Sequence, residues 1–135
     1  MKAKHGFAIL YDCHSIRSIV PHLFEGKLPD FNVGTFDGQS CAPIIGETVA
    51  EICENASNFT SIKNGRFKGG WTTRHYGDPA NGVHAIQMEL AQSTYMLERE
   101  PWNYLPDKAD TIRPHLRDIL KALTKLQERD IDVSS

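Results

Sequence analysis

An apolar run at residues 6–11 ends abruptly in a polar cluster made of Asp12, Cys13, His14 and Ser15. A run of this length predicts a buried strand that delivers polar groups at its C-terminal end, where open α/β sheets place their ligand sites. Side chains alternate between the two faces of a strand, so Asp12 and His14 share one face and Cys13 lies on the other. The Asp-x-His pair is therefore the first candidate for a functional site.

Two segments have the spacing of amphipathic helices. Apolar side chains recur at helical intervals over residues 45–56, which predicts a helix with Ser40 as its N-cap and Pro43 in its first turn. A second apolar stripe covers residues 107–129, with Pro114 expected in or near the first turn. The residues after this helix are expected to fray.

Strict alternation over residues 83–90 predicts a strand with one largely apolar face, and shorter strands are expected near 31–35 and 59–63. Glu89 lies near the end of the longest of these strands, on the same face as Gln87. A carboxylate there must reach solvent or find a partner, because burying an unpaired charge is costly. Glu89 is either half of a salt bridge at the rim or a general base tuned by partial burial.

The most unusual composition lies at residues 64–77, which contain four glycines, three fixed cations and a histidine. Glycines let the backbone approach a ligand closely, and the guanidinium groups of Arg66 and Arg74 can each grip a carboxylate. The segment is either an anion-binding loop or a solvated basic hairpin with glycine-rich turns.

Composition narrows the class of protein. The 135 residues, 40% hydrophobic and 24% charged with a formal net charge of -2, predict one globular domain over residues 1–135. Basic residues neither exceed acidic ones nor form a block, so we expect no nucleic-acid partner and no membrane partner. Neither a membrane span nor a secretory signal is recognised, which favours a cytoplasmic protein. Three cysteines without a C-x-x-C pair argue against a disulfide framework and a cysteine-based zinc site.

Three blocks of sequence resemble the N-formylglutamate amidohydrolase (deformylase) family: DCHSIRS at residues 12–18, NGRFKGGWTTRHYG at 64–77 and GVHAIQMELAQ at 82–92. The resemblance implies a hydrolase of histidine degradation that releases formate from N-formyl-L-glutamate, a small acidic substrate. It also implies an α/β fold similar to zinc exopeptidases and related phosphorylase/hydrolase proteins, with a mixed, mostly parallel sheet flanked by helices. The Asp-x-His-Ser element is similar to one in the aspartoacylase and succinylglutamate desuccinylase group, where the histidine binds zinc.

The resemblance also implies roles for individual residues. His14 would bind a divalent metal, expected to be Zn²⁺, with Asp12 or Ser15 orienting its ring, and Glu89 would deprotonate the attacking water. Cys13 would be a core residue. The side chains expected to hold the substrate's carboxylates are Arg66 and Arg74 and, less directly, Arg17 and Asn64.

The chain departs from the family in length, because members begin well upstream and carry further metal ligands there. We therefore expect a partial version of the fold, its C-terminal part, with His14 as the one clear ligand and His75 or His84 as substitutes for a second. The partner would be a complementing N-terminal half or a second copy. The alternative is a non-catalytic α/β module, a split or truncated half that needs a partner chain for activity, and a thiol hydrolase using Cys13 is more remote.

Overall fold

A computed structural model describes residues 1–134 as a four-stranded sheet with helices on both faces. In chain order the elements are α1 (Lys2–His5), β1 (Ala8–Ile16), β2 (Phe31–Gly34), α2 (Pro43–Asn55), β3 (Ser61–Lys63), α3 (Trp71–Tyr76), β4 (Val83–Ala91), α4 (Pro106–Lys125) and α5 (Glu128–Ser134). Within residues 1–134, no helix is long and apolar enough to cross a membrane.

The strands lie in the order β1-β4-β2-β3. β1 pairs with β4 and β2 pairs with β3 in parallel, whereas the central pair, β2 and β4, is antiparallel. The predicted α/β fold with a mixed, mostly parallel sheet flanked by helices is thus confirmed.

One face of the sheet builds the hydrophobic core. Buried side chains of the two central strands pack there against α2 and α4, and the principal ones are Phe31, Val33, Ile86, Met88, Ile45, Val49, Cys53, Ile112 and Ile119. The predicted division of β4 into two faces is therefore correct. Polar side chains of the same central strands lie on the opposite face, which α3 partly covers.

β1 differs from the prediction, because it is an edge strand and not a buried one. None of its residues is fully buried, since β4 is its only strand partner within residues 1–134. Cys13, interpreted as a core residue, is exposed. An apolar run cannot by itself distinguish a central strand from an edge strand whose outer side is uncovered.

The helix ends also differ from expectation. Ala42 is the N-cap of α2, and the Ser40 hydroxyl instead donates to the Ala85 carbonyl at 2.7 Å. Pro114 lies inside α4, because that helix already begins at Pro106. The chain then forms α5 where fraying was expected, and Ile131 is buried against the core; Ser135 lies outside the described residues.

The glycine-rich segment contains a helix, α3, that its composition did not predict. The segment reaches α3 by crossing β2 in close contact, and the Phe36 amide donates to the Lys68 carbonyl at 2.7 Å. A Cβ atom on Gly34 would lie 2.7 Å from the Gly69 nitrogen, so only glycine allows this approach. Gly34 therefore helps to place the segment over the polar face of the sheet.

Candidate active site

Four polar side chains occupy adjacent positions on the face of the sheet opposite the core. The parallel register of β1 and β4 sets Asp12 beside Gln87 and His14 beside Glu89. Side chains at paired positions project to the same face, so strand alternation alone brings the four together. The predicted grouping of the Asp-x-His pair with Glu89 is thus present in the structure.

Asp12 and His14 contact each other directly. The Nε2 atom of His14 lies 2.9 Å from Oδ2 of Asp12, with the His14 side chain 49% exposed and that of Asp12 20% exposed. When the neutral ring donates through Nε2, its Nδ1 lone pair remains as the acceptor. The carboxylate thus fixes both the orientation and the tautomer of a solvent-accessible imidazole.

Glu89 is the buried carboxylate of this group, with 7% of the residue exposed. Burial raises the pKa of Glu89 above its ordinary value; the charge of His14 opposes this rise and that of Asp12 adds to it. A raised pKa brings a carboxylate closer to the range in which a general base is effective near neutral pH.

Gln87 connects Glu89 to the glycine-rich segment. The Gly70 amide donates to Oε1 of Gln87 at 2.8 Å, which turns the side-chain NH₂ toward Glu89, where Nε2 lies 3.4 Å from Oε2. Sequence alternation placed Gln87 on the face of Glu89 but gave no role to its amide. The partner that reveals this role comes from a segment whose path the sequence did not show.

Arg74 and Arg66 are exposed and are each held by a backbone carbonyl. The Nε atom of Arg74 donates to the Gly69 carbonyl at 2.8 Å, next to the amide that binds Gln87, and its guanidinium lies 4.9 Å from the centre of the Phe36 ring. The Nε atom of Arg66 donates to the Leu23 carbonyl at 2.8 Å. Of the two, Arg74 is the one linked by hydrogen bonds to the neighbourhood of Glu89.

Two other predicted site residues have structural partners instead. Ser15 does not orient His14, because it lies on the opposite face of β1 and shares a 2.7 Å hydrogen bond with the Tyr95 hydroxyl. The Asn64 side chain accepts from the Thr35 amide at 2.9 Å and donates to the Thr35 hydroxyl at 2.8 Å, so it stabilises the turn after β2. Ser15 therefore lies away from His14, and the Asn64 amide is engaged within the turn.

Arg17, the last of the predicted anion-binding residues, follows β1 and is exposed. Its guanidinium lies 5.9 Å from the centre of the Trp102 ring. This contact packs Arg17 against the connection between β4 and α4.

Asn32 supports Glu89 from the neighbouring strand, which sequence reasoning missed. It is 1% exposed, and its Nδ2 donates to the Glu89 carbonyl at 3.1 Å and to the Pro29 carbonyl at 2.7 Å. These bonds fix the backbone that carries the carboxylate. The sequence signal for this role was Asn32 itself, a polar residue within a short apolar strand.

A second hydrogen-bonded group, centred on Glu98, ties together the chain segments that follow β1 and β4. Its carboxylate accepts from both the amide and the hydroxyl of Ser18, and from the Ser93 amide at 3.1 Å. Because β1 carries His14 and β4 carries Glu89, Glu98 holds the two strands in register beyond the site.

The described residues do not make a complete metal site. Residues 1–134 contain no group of three His, Cys, Asp or Glu side chains placed to hold an ion. His84 lies on the core side of β4, where its Nδ1 accepts from the Ala42 amide at 3.0 Å. His75 stacks on Trp71 with ring centres 4.2 Å apart. A three-ligand zinc site therefore does not fit these residues alone.

Comparison with known proteins gives a consistent result. A family model described as N-formylglutamate amidohydrolase matches residues 1–96. N-formylglutamate deformylase of Pseudomonas putida is 54% identical over 123 residues, and that of Pseudomonas aeruginosa is 51% identical over 123 residues. Each alignment covers 91% of this chain and 46% of the relative.

A solved structure shares the fold: the crystal structure of N-formylglutamate amidohydrolase from Ralstonia eutropha JMP134 superposes with a TM-score of 0.76 at 22% identity. The superposition covers 90% of this chain and 45% of the solved chain. The chain thus spans about half the length of the relatives it matches. The family match over residues 1–96 and the identities above 50% confirm the resemblance seen in the sequence, and the chain belongs to the N-formylglutamate amidohydrolase family.

Proposed function

We propose that this chain forms part of an N-formylglutamate deformylase, which hydrolyses N-formyl-L-glutamate to formate and glutamate. The observation that carries the proposal is the buried Glu89 carboxylate in register with the hydrogen-bonded Asp12–His14 pair. The names of the two Pseudomonas relatives supply the substrate and the reaction.

Glu89 is the proposed general base. Its carboxylate removes a proton from the water that attacks the formyl carbon and returns that proton to the departing amine of glutamate. Burial supports this role because it raises the pKa of Glu89. The Gln87 amide and the Asn32 bond to the Glu89 backbone hold the carboxylate in place.

His14 is proposed as one ligand of a divalent ion, expected to be Zn²⁺, with Asp12 orienting the ring. Ligating histidines commonly donate their second N–H to a carboxylate, as His14 does to Asp12. Because residues 1–134 lack a three-donor group, the remaining ligands would come from outside these residues.

Arg74, followed by Arg66, is proposed to bind the carboxylates of the substrate. Both guanidinium groups are exposed and anchored through Nε, which leaves the terminal nitrogens to form the paired hydrogen bonds that a carboxylate accepts. Arg17 could add charge from the end of β1, whereas Asn64 is committed to the turn after β2.

The test is an assay of formate release from N-formyl-L-glutamate with added zinc. It uses the chain co-expressed with the part of the Pseudomonas putida deformylase that it does not match. We expect Glu89→Gln to lower kcat by about 10²- to 10⁴-fold, and the exposed control Glu51→Gln on α2 to leave kcat unchanged. If the co-expressed pair releases no formate, or if Glu89→Gln leaves the rate unchanged, the proposed mechanism is wrong.

A second candidate function is that of a non-catalytic α/β module. The lack of a three-donor group within residues 1–134 favours it. This alternative predicts that the chain by itself neither binds zinc stoichiometrically nor releases formate and needs a partner chain for activity, so metal analysis and the formate assay of the chain alone test it.

A further inference from the structure

The turn that follows β2 has a backbone conformation that its sequence does not favour. Phe36 and Asp37 have φ angles of 50° and 52°, and the Gly38 amide closes the turn by donating to the Thr35 carbonyl at 3.0 Å. Positive φ at both central residues is the pattern of a type I′ turn, in which asparagine and glycine are the usual residues. A phenylalanine in this conformation is strained, because its Cβ crowds the backbone.

Contacts with the glycine-rich segment hold the turn in this conformation. The Phe36 amide donates to the Lys68 carbonyl at 2.7 Å, and Nζ of Lys68 forms a salt bridge with Oδ2 of Asp37 at 3.0 Å. Oδ1 of Asn64 accepts from the Thr35 amide at 2.9 Å and from the Asp37 amide at 3.4 Å. Backbone strain that is maintained by its surroundings commonly occurs at functional positions. The strained turn is therefore a reason to ask what the Phe36 side chain does.

The Phe36 ring contacts the guanidinium group of Arg74. Cζ of Arg74 lies 4.9 Å from the centre of the ring, within the range of an attractive cation–π contact. Arg74 is also held through its Nε, which donates to the Gly69 carbonyl at 2.8 Å. The ring limits the tilt of the guanidinium plane, and the carbonyl fixes the position of Nε. Together the two contacts define where the terminal nitrogens of Arg74 lie.

The peptide unit between Gly69 and Gly70 connects Arg74 to the strand that carries Glu89. The carbonyl of this unit accepts from Nε of Arg74, and its amide donates to Oε1 of Gln87 at 2.8 Å. Hydrogen bonds at the two ends of one peptide unit polarise and strengthen each other. These bonds set the distance between Arg74 and β4, but they leave the tilt of the guanidinium plane free.

We propose that Phe36 is a positioning residue: its ring, presented by the strained turn, orients the Arg74 guanidinium to receive a carboxylate of the substrate. This proposal rests on the proposed function for the role of Arg74. It explains why a bulky aromatic residue occupies a turn position that favours asparagine or glycine. Substrate binding should then depend on the presence of the ring, whereas stability should depend on how well the residue tolerates a positive φ.

The experiment measures formate release by the full chain co-expressed with the part of the Pseudomonas putida deformylase that it does not match. Phe36→Leu and Phe36→Asn both remove the ring, and each should raise KM for N-formyl-L-glutamate by about three- to tenfold with kcat within about twofold of the wild type. Phe36→Tyr keeps the ring and should leave KM unchanged. In urea, Phe36→Asn should be at least as stable as Phe36→Leu, because asparagine tolerates a positive φ better.

Two controls isolate the contact between the ring and the guanidinium. Tyr104→Leu removes the ring that lies 5.9 Å from the Arg113 guanidinium, outside the candidate site, and should leave KM unchanged. In an Arg74→Ala background, Phe36→Leu should raise KM no further, because the ring then has no guanidinium to orient.

A measurement without substrate tests the orientation of Arg74 independently of activity. In NMR spectra of the full chain alone, the ring current of Phe36 should shift the Nε–H signal of Arg74. We expect this shift to disappear in Phe36→Leu and to persist in Phe36→Tyr. An Arg74 signal that is the same in the wild type and in Phe36→Leu would overturn the proposal.

The proposal is also wrong if KM follows stability, with Phe36→Asn close to the wild type and Phe36→Leu impaired, since Phe36 would then serve the turn alone. Failure of the proposed function gives a different result. No formate release together with the expected Arg74 signals contradicts the activity and supports the orientation of Arg74 by Phe36. Formate release with a KM that does not depend on the ring does the reverse.

Discussion

Glu89 is a buried residue, 7% exposed, so its carboxylate loses most of its contact with water, and this loss is costly when the group is charged. Within residues 1–134 Glu89 forms no salt bridge with a lysine or arginine, and hydrogen bonds from Gln87 and Asn32 hold it in place. At the residue scale, the burial that supports the proposed role of Glu89 as a base also lowers stability when the carboxylate is charged.

We predict that Glu89→Gln stabilises the fold at neutral pH by roughly 0.5–2 kcal/mol. Burial raises the pKa of Glu89, so its contribution to stability is complete below the ordinary value of 4.5 and is lost as pH rises through the folded-state pKa. Glutamine has no such loss. In urea denaturation, the advantage of glutamine should grow from pH 4 to pH 8, and an advantage independent of pH would contradict this explanation.

His84 gives a prediction of the opposite sign. Burial lowers the pKa of His84 from its ordinary value of 6.5, and Nδ1 accepts from the Ala42 amide. His84 therefore binds a proton more readily in the unfolded chain than in the folded chain. The stability that is present above pH 6.5 is lost as pH falls. This loss should approach about 1.4 kcal/mol per pH unit.

The control for this prediction is His84→Gln, whose side-chain oxygen can still accept a hydrogen bond but does not titrate. Its unfolding free energy should depend less on pH between pH 6.5 and 5 than that of the wild type, as measured by urea denaturation. Equal pH dependence of the two proteins would exclude His84 as the source.

The positions of single site residues could be predicted from the sequence where strand alternation and side-chain chemistry indicated the same face. Asp12, His14 and Glu89 are on the predicted face and meet in the predicted group. The roles of Gln87 and Asn32 could not be predicted, because each amide acts through a partner that is distant in sequence, the Gly70 amide for Gln87 and the Glu89 carbonyl for Asn32. Strand alternation by itself places the Ser15 hydroxyl on the face of β1 opposite His14, so it already argued against Ser15 as the residue that orients the ring.

At the scale of elements, the Glu98 contacts explain how two neighbouring strands keep their register after the last ladder bond. Glu98→Ala leaves the Ser18 amide, in a residue that is 3% exposed, without its acceptor. We predict a loss of about 1–3 kcal/mol in the free energy of unfolding, measured in urea.

Glu98→Gln should recover part of this loss, because an amide oxygen can accept from the same two backbone amides. Glu51→Ala, on the exposed face of α2, is the control and should change stability by less than about 0.5 kcal/mol. Equal effects of alanine and glutamine at position 98 would show that the charge, and not the acceptor geometry, matters.

Elements with regular periodicity were predictable, and those defined by their neighbours were not. The periodic segments became α2, β4 and α4, whereas α3 formed within a glycine-rich stretch because packing against β4 and β1 overrides its weak helical propensity. The position of β1 at the sheet edge was hidden for a similar reason, since strand order depends on pairings between distant segments.

For the whole molecule, metal binding should depend on the part of the family's chain that this chain does not match. We predict that the isolated chain retains much less than one zinc per molecule after dialysis, because three protein ligands are normally needed and residues 1–134 offer no such group. The complex with the unmatched part of the Pseudomonas putida deformylase should retain about one zinc, and His14→Ala should reduce it. Stoichiometric zinc on the chain alone would contradict the prediction.

The pairing of β1 with β4 also affects how fast the protein folds. Ser15 and Tyr95, like Ser18 and Glu98, are 80 positions apart in sequence, so contacts beside the candidate site join the two ends of most of the chain. Closing such a long loop is entropically expensive, and parallel pairings of this kind form slowly. During synthesis, the candidate site therefore cannot form until β4, which carries Glu89, has left the ribosome. A single backbone cut in the loops between β1 and β4 would leave every site residue intact, but it would place Asp12 and His14 on one fragment and Glu89 on the other.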